Sequence, residues 1–389
     1  MNNLIKIANP KSSIRIVGFK RNRASSNYST RIEYTDDAVG FQPVEVAKGT
    51  NIFSYGSWQG FIEDIARPVM LKKDGTVDYE LNHYNTTLKL DGTASDISDT
   101  SYNGNAMVEF RKYRWVSRKT VDGYDYVRFA TYKVDDTFEN NAFIDDNGNF
   151  VKAFYFSMFS GSVINGVMRS LAATSIAVSN TAATEMSYAK ANGDGWNTGA
   201  WSQLNYIWDL LTLLGKTDGL QETFGNGVVS VSAKINTGGS KAHGCFYAQN
   251  NSSTSARVLW IEDLWGNVWE RYAGLINDNG TFKVKLTGPY PTPTDTASTY
   301  ADYINTALST PAIGYVKEAN CSEWGFLPQV TGGSDSTYFC DYFYKSDSEV
   351  KYVFVGGKWS NGSECGRCVY VAYVASYADA SIGSRLMKL

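Results

Sequence analysis

Apolar and polar residues alternate along much of the chain, and a period of two predicts strands rather than helices. The alternation is clear in "SIRIVGF" and "STRIEY" near the start and in "AMVEFRKYRW" further along. Turn signals stand beside such runs at Asp74-Gly75, Asn147-Gly148 and Asn279-Gly280. Because Asp-Gly and Asn-Gly favour the left-handed backbone of tight turns, we expect the chain to reverse at each of them.

One segment departs from this pattern and predicts a helix. In "WSQLNYIWDLLTLL" (residues 201–214), apolar side chains recur from Leu204 at i, i+3, i+4, i+7 and i+10, which places them on one stripe. Gly215 follows the stripe and suits the position just beyond a helix C-terminus. Residues 161–200 are rich in Ser, Ala, Asn and Gly without a clear period, and we expect loops there. The predicted fold class is α+β, with few helices and long loops.

Composition and charge narrow the possible functions. The 389 residues are 43% hydrophobic and 19% charged, which is typical of a globular protein. A net charge of -3 argues against a nucleic-acid partner. No apolar run approaches the ~20 residues that span a bilayer, so we expect no membrane insertion. The first residues also lack a signal-peptide core, which indicates synthesis in the cytoplasm without standard export.

The residues that usually carry catalysis form no clear site. Cys365 and Cys368 lie in a C-x-x-C spacing, but no βαβ pattern surrounds them as it would a redox pair. Neither His83 nor His243 belongs to a metal or general-base motif. The acidic segment "IDDNG" (144–148) could offer oxygen ligands to Ca²⁺, but a hairpin turn is the simpler interpretation. We therefore expect no cofactor, no metal and no enzyme activity.

A turn signal separates two tryptophans in "WGNVWERYAGL" (265–275). Gly266 permits a sharp bend, and Asn267 can hydrogen-bond within its own turn. Trp269 is expected to be buried, and its indole N–H then requires a partner. Glu270 could accept that hydrogen bond or cap a nearby stretch of backbone. The residues predicted to be scaffold rather than binding site are Trp265, Gly266, Asn267, Trp269 and Glu270.

Longer motifs around this segment resemble a known family. "VLWIEDLWGNVWERYAGLIN" (258–277) resembles the "R-G-I-E-N-x-W-G-N-x-W-E" signature of C-type-lectin-fold proteins of the formylglycine-generating-enzyme (sulfatase-modifying factor) type. "VGGKWSNGSECG" (355–366), followed by "SIGSRL" (381–386), is similar to the "G-G-S-W…G-x-R-L" ending of that superfamily. The stretches at 56–82, 91–100, 106–110 and 336–344 look like phage tail and prophage proteins that carry this fold.

The resemblance covers roughly residues 51–389 and implies a phage receptor-binding protein, related to proteins that retroelements diversify. The alternating strands near the start predict an N-terminal β arm or virion-attachment segment (1–50), and the turn signals after it predict a β-rich hairpin region (51–160). The resemblance implies a C-type-lectin-like receptor-binding domain (161–389). Tail proteins of this kind are usually trimers. We therefore expect a homotrimer at the tail or fibre tip of a virion, in contact with other virion tail proteins.

The binding face is predicted in the tyrosine-rich segments near the C-terminus. Val369, Val371 and Val374 disfavour a helix there, and the resemblance implies an irregular surface segment that faces a bacterial surface receptor, either a glycan or a protein. Tyr, Trp and Arg are the residues that contact hot spots favour. The predicted contact residues are Tyr342, Tyr344, Trp359, Asn361, Ser363, Glu364, Arg367, Tyr370, Tyr373 and Tyr377.

Two alternatives stay open at this level. In the first, the chain is a structural fibre or decoration protein of the virion, and the lectin fold is only a spacer. In the second, it is a cysteine-dependent enzyme of the formylglycine-generating type. For the second, Cys365 and Cys368 are the candidates, although they are closer in sequence than the cysteine pair of that family.

Overall fold

The computed structural model describes residues 15–389, so the first part of the predicted N-terminal segment (1–14) lies outside the described residues. Strands make up 36% of the structure and helices 12%. The predicted α+β fold is therefore confirmed in its coarse features, many strands and few helices.

Up to residue 200, short strands alternate with turns. The strands are β1 (Ile16–Asn22), β2 (Ile32–Asp36), β3 (Glu45–Ala47), β4 (Ile52–Ser54), β5 (Ala66–Lys72), β6 (Val77–Glu80), β7 (Gly104–Arg111), β8 (Trp115–Val121), β9 (Tyr124–Ala130), β10 (Phe138–Glu139), β11 (Ala153–Ser157), β12 (Ser162–Ile164), β13 (Val167–Arg169) and β14 (Trp196–Thr198). The helices are α1 (Gln59–Ile65) and α2 (Ala182–Lys190), with a 3₁₀ turn at Asn141–Phe143.

From residue 201 onward, the chain begins with two helices and continues in strands. The helices are α3 (Trp201–Gly215) and α4 (Leu220–Phe224), with 3₁₀ turns at Ala297–Tyr300 and Gly362–Glu364. The strands are β15 (Arg257–Val258), β16 (Ile261–Glu262), β17 (Trp269–Asp278), β18 (Thr281–Val284), β19 (Ile304–Ser309), β20 (Gly314–Ala319), β21 (Pro328–Thr331), β22 (Tyr342–Lys345), β23 (Val350–Val355), β24 (Val369–Tyr373), β25 (Ile382–Ser384) and β26 (Leu386–Lys388).

Two of the sheets join parts of the chain that are far apart in sequence. A five-stranded sheet has the order β10-β8-β9-β1-β2, and a six-stranded sheet has the order β14-β26-β11-β7-β5-β6. Strands from neighbouring predicted segments thus share sheets: β1 pairs with β9, and the C-terminal β26 pairs with β11 and β14. The division of the chain at residues 50 and 160 stays a prediction.

The largest sheet positions the C-terminal segments. It runs in the order β19-β18-β17-β23-β24-β22-β20-β21, with β25 parallel to β17 on a separate branch. One face of its central strands packs into the main hydrophobic core through Phe343, Val353, Val355, Val369 and Val371. The neighbouring side chains in these strands alternate to the other face.

The three predicted turns are confirmed. Asp74-Gly75 connects β5 to β6, and Asn279-Gly280 connects β17 to β18. Both Asn279 (φ 49°) and Gly280 (φ 89°) are left-handed, as a two-residue hairpin turn requires. The turn at Asn147-Gly148 is closed by a bridge between residues 144 and 150.

The predicted helix at 201–214 is confirmed as α3, but its C-terminal signal was assigned to the wrong residue. Gly215 is the last helical residue, and the left-handed position belongs to Lys216 (φ 51°, ψ 47°). A side chain at Gly215 would meet the ring of Phe224 at 2.8 Å. Glycine therefore serves close packing here rather than backbone reversal.

Residues 161–200 are not the loops that the sequence predicts. They contain the β12–β13 hairpin, α2 and β14. Thr181 caps α2 by accepting a hydrogen bond from the backbone N–H of Thr184 (3.2 Å). The buried face of α2 is small and mixed (Ala182, Glu185, Met186, Ala189), so its apolar period is weak in the sequence.

Candidate functional site

Four of the predicted contact residues form one run of stacked rings, which we call the tyrosine ladder. Tyr344 stacks on Tyr370 with ring centroids 4.5 Å apart and planes 7° apart. Tyr370 stacks on Tyr373 at 5.7 Å, and Tyr373 stacks on Tyr377 at 4.0 Å. Tyr344 and Tyr373 are 36% and 37% exposed, while Tyr370 and Tyr377 are partly buried. The ladder thus lies at the surface.

Strand register explains why tyrosines three residues apart share a face. In the parallel pair β22–β24, Tyr344 lies beside Tyr370. Strand β24 also pairs with β23, where Phe354 lies opposite Tyr370 and Tyr352 lies opposite Tyr373. Between these two pairs, β24 therefore contains one residue more than β23. In a regular strand, residues three apart point to opposite faces. The extra residue is a bulge, and it returns Tyr373 to the face of Tyr370.

The ladder stands beside a groove of 310 Å³ with an apolar floor. The floor is the small cluster of Trp269, Phe354 and Ile382, which is separate from the main core. Trp269 is 9% exposed, and its ring lies 5.1 Å from that of Tyr370. The polar residues that line the groove are Lys358, Asn361, Asp379 and Ser381.

Hydrogen bonds fix the open end of the groove. Asp379 accepts hydrogen bonds from the hydroxyl (2.5 Å) and the backbone N–H (2.8 Å) of Ser381. These bonds lower the pKa of Asp379, which therefore stays ionised. The Arg271 guanidinium donates to the backbone carbonyl of Tyr377 and holds the end of the ladder in place.

A second, more open depression adjoins the groove, and we call it the serine recess. It has a volume of 710 Å³, and its lining residues include Ser230, Ser232, Tyr315, Ser360, Asn361, Ser363 and Glu364. The Tyr315 hydroxyl lies 3.1 Å from the hydroxyl of Ser363, and the Tyr342 ring packs edge-on against Tyr315 at 5.1 Å. Asn361 donates to Glu364 (3.1 Å) and lines both depressions.

Of the two remaining predicted residues, Trp359 lies near the site and Arg367 does not. Trp359 is partly buried, with the ammonium of Lys358 5.5 Å from its ring. Arg367 is 1% exposed and donates to Asp341 (2.8 Å) and to the backbone carbonyl of Asp218 (2.7 Å). The prediction that Arg367 faces a ligand is therefore wrong, because two buried acidic residues hold it inside.

The geometry gives little support to the alternative that the chain is a cysteine-dependent enzyme. Cys365 and Cys368 are both buried. Burial raises the pKa of each thiol well above its ordinary value, which disfavours the thiolate that would act as nucleophile. Among residues 15–389, no group of three or more His, Cys, Asp or Glu could hold a metal ion. No helix within the described part of the chain is long and apolar enough to span a bilayer.

In the predicted scaffold segment, the sharp bend is confirmed, but the predicted hydrogen bonds are wrong. Gly266 (φ 76°) and Asn267 (φ 60°) form the left-handed turn. The Asn267 side chain does not bond its own turn: it accepts from the backbone N–H of Ile235 (2.9 Å) and donates to Asp263 (3.0 Å). It therefore anchors a distant loop.

Glu270 also has other partners than predicted. Its carboxylate accepts from Arg385 (2.6 Å), from the Ser160 hydroxyl (2.8 Å) and from the Tyr272 hydroxyl (3.0 Å). Within the described residues, the Trp269 indole is not among these partners. Glu270 is scaffold, whereas Trp269 also lines the groove.

Sequence reasoning did not select several residues that shape the site. Trp269 was assigned to the scaffold alone, and Arg271, Lys358, Asp379 and Ser381 were not considered. Asp379 and Ser381 carry a detectable signal, since an Asp two residues before a Ser favours a local side-chain turn. The role of Arg271 depends on a partner 106 residues away, which no local pattern shows.

Comparison with known proteins gives a slight structural likeness. The chain is similar to the solved structures of the Major Tropism Determinant I1 variant (TM-score 0.29) and P3c variant (TM-score 0.27), each at 11% identity. Each alignment covers 84% of this chain and 72% of the other. No family model and no curated protein matches the chain. A likeness of this size transfers no residue roles, so functional conclusions rest on the site itself.

Proposed function

We propose that this chain is a receptor-binding protein of a phage virion, which attaches the particle to a bacterial surface receptor through the tyrosine ladder. The observation that carries the proposal is the surface position of the four stacked tyrosines, three of them on strands of the largest sheet and Tyr377 just after β24. The sequence motifs that resemble phage receptor-binding proteins support the same function.

The ladder has the physical properties of a contact surface. Tyrosine offers a large contact area with few rotamers to immobilise, and neighbouring rings 4.0 to 5.7 Å apart already restrict one another. Because these side chains are already ordered, less conformational entropy is lost when a ligand binds them. The polar rim of the groove supplies hydrogen-bonding groups around this aromatic centre, an arrangement typical of binding hot spots.

The assembly proposed for this function is a homotrimer at the tail or fibre tip, attached to other tail proteins through the N-terminal segment (1–50). Several copies of a weak site bind a cell surface far more tightly than one copy. Residues 16–36 of this segment pair within the five-stranded sheet, so attachment would use their outer surface or the residues before them. Sedimentation equilibrium of the purified chain tests the trimer, and a monomer across micromolar concentrations would contradict it.

Alanine substitution in the ladder tests the proposed function. Tyr373→Ala and Tyr377→Ala each remove a stacked ring, and we expect each to weaken binding to host cells by about 10- to 30-fold. Tyr132→Ala is the matched control, since Tyr132 is 46% exposed and lies outside the site. The measurements are cell binding by the purified chain and adsorption of particles that carry each variant, with circular dichroism to verify folding.

The outcome also separates the alternatives. Normal cell binding by the purified variant chain, combined with failed particle assembly, would support the structural fibre or decoration protein. Loss of infection in Cys365→Ser and Cys368→Ser chains that still fold and still bind cells would support the cysteine-dependent enzyme. Loss of binding in the tyrosine variants alone, with intact particles, supports the receptor-binding protein.

A further inference from the structure

The groove beside the ladder and the serine recess share one wall. Asn361 lines both, and the segment that carries it, residues 358–364, separates the ladder from the open recess. The Asn361 side chain accepts a hydrogen bond from the backbone N–H of Lys358 (3.0 Å) and donates to Glu364 (3.1 Å), so it is held between the two depressions. One elongated ligand could therefore occupy both.

The surface that the tyrosine ladder presents to a ligand is more polar than its four aromatic rings suggest. Tyr370 and Tyr373 each have a ring on both sides, so neighbouring tyrosines cover their faces. An inner ring of such a stack offers a ligand its edge and its hydroxyl. A phenol hydroxyl both donates and accepts hydrogen bonds, so the ladder presents a row of bifunctional groups beside the apolar floor.

The rest of the lining continues this pattern. The groove adds an ammonium group, a carboxylate and a hydroxyl, from Lys358, Asp379 and Ser381. The recess contributes serine hydroxyls and the carboxylate of Glu364. Charges of both signs are present, which does not favour a strongly anionic or cationic ligand. The ligand that matches these groups carries many hydroxyls and a few C–H faces for the floor, as sugar rings do.

The shape of the site favours the same ligand over a protein surface. Stable protein interfaces bury about 800 Å² per partner around an apolar, closely packed centre. Here the centre is a concave groove of 310 Å³, within the range of about 300–1,000 Å³ for small-ligand sites. A protein would have to insert a polar segment into it, whereas a glycan chain can lie along it.

From these observations we infer that the receptor is a neutral or weakly charged bacterial surface polysaccharide. One sugar unit occupies the groove beside the tyrosine ladder, and a following unit occupies the serine recess past Asn361. This inference rests on the proposed receptor-binding function and names the chemical class of the receptor.

A substitution that keeps the ring and removes only the hydroxyl tests the chemistry. Tyr373→Phe preserves the stack, so a site that works through aromatic area would tolerate it. A site that hydrogen-bonds sugar hydroxyls is expected to lose about 3- to 10-fold in affinity. Tyr132→Phe is the matched control. The probes are a printed array of bacterial surface glycans and, for affinities, size-fractionated oligosaccharides of the glycan that binds best, measured by calorimetry.

The two-subsite arrangement predicts a dependence on chain length. Wild-type affinity is expected to rise by at least about 5-fold between fragments that fill one depression and fragments that reach both. Ser363→Ala and Ser232→Ala each remove a hydroxyl that lines the recess and not the groove. Both are expected to reduce the gain from length while leaving the affinity for the shortest binding fragment nearly unchanged. A gain from length that is equal in wild type and both variants overturns the second subsite.

Treatment of host cells separates this inference from the proposed function. If periodate oxidation of surface glycans abolishes binding of the chain and protease treatment does not, the glycan receptor is supported. If protease abolishes binding and periodate does not, the receptor is a protein, and the inference is overturned while the proposed function stands. If Tyr373→Ala binds untreated cells as well as wild type, the proposed function itself fails.

Discussion

The buried ion pair between Glu270 and Arg385 joins two sequence motifs that lie far apart in the chain. Glu270 follows the tryptophan turn, and Arg385 belongs to the "SIGSRL" ending. The Arg385 Nε–Glu270 Oε2 distance is 2.6 Å, and both side chains are almost fully buried. Arg385 also donates to the backbone carbonyls of Ser157 (3.3 Å), Glu262 (3.2 Å) and Asp263 (2.9 Å). We predict that this pair is essential to stability.

Removing the arginine leaves a carboxylate and three carbonyls in the core. Loss of one partner of a buried pair costs about 3–5 kcal/mol. The Ser160 and Tyr272 hydroxyls still donate to Glu270, which moderates the loss. We therefore expect Arg385→Met to lower the free energy of unfolding by about 4 kcal/mol at pH 7. Glu270→Gln keeps an acceptor and is expected to cost about 2 kcal/mol alone.

The double variant distinguishes the pair from two independent effects. In the Arg385→Met background, Glu270→Gln removes an unpaired buried charge, so it is expected to cost nothing or to stabilise. The assay is urea unfolding followed by tryptophan fluorescence. An equal cost of Glu270→Gln in both backgrounds would falsify the coupling.

Three further predictions concern the turn, the thiols and pH. Gly266→Ala is expected to lower the free energy of unfolding by at least about 3 kcal/mol, because the new Cβ would lie 2.7 Å from a carbonyl oxygen. Gly148→Ala is the control: Gly148 is also left-handed but has no atom near the new Cβ, so this variant is expected to lower the free energy of unfolding by only about 1 kcal/mol. Cys365 and Cys368 are expected to react with a thiol reagent only on unfolding, and rapid labelling of either residue in the native chain, located by peptide mapping, would contradict their burial. Burial raises the pKa of Glu185 from 4.5 to about 7, so its contribution to stability is full below pH 4.5 and lost as pH rises through about 7. Glu185→Gln is therefore expected to remove the part of the pH dependence that Glu185 supplies, about 3 kcal/mol of unfolding free energy between pH 4.5 and 7, and equal slopes in wild type and variant would refute it.

Features set by neighbouring residues were predictable from the sequence. The turn at Asn279-Gly280 needs two left-handed residues, and its sequence supplies them locally. The apolar stripe of α3 likewise repeats within one segment. Helix α2 was missed because its own apolar period is weak: the residues that it buries are few and include the polar Glu185.

The sequence indicates the tyrosines of the candidate site but not how they are arranged. Tyr370, Tyr373 and Tyr377 follow a spacing that fits neither a regular strand nor, among valines, a helix. The bulge that places Tyr370 and Tyr373 on one face arises from pairing with β23, which the segment itself does not encode. Arg367 was misplaced for a similar reason: its partner Asp218 lies 149 residues earlier in the chain.

The start of β17 shows how one short segment serves both the fold and the site. Residues that alternate along a strand point to opposite sides of the sheet. Glu270 points toward the core and meets Arg385, whereas Trp269 forms the groove floor and Arg271 reaches the backbone of Tyr377. Because the two roles fall on opposite faces, the exposed tyrosines can be substituted without disturbing the core ion pair. Substitutions on the groove face can therefore alter this surface while the fold beneath it is kept.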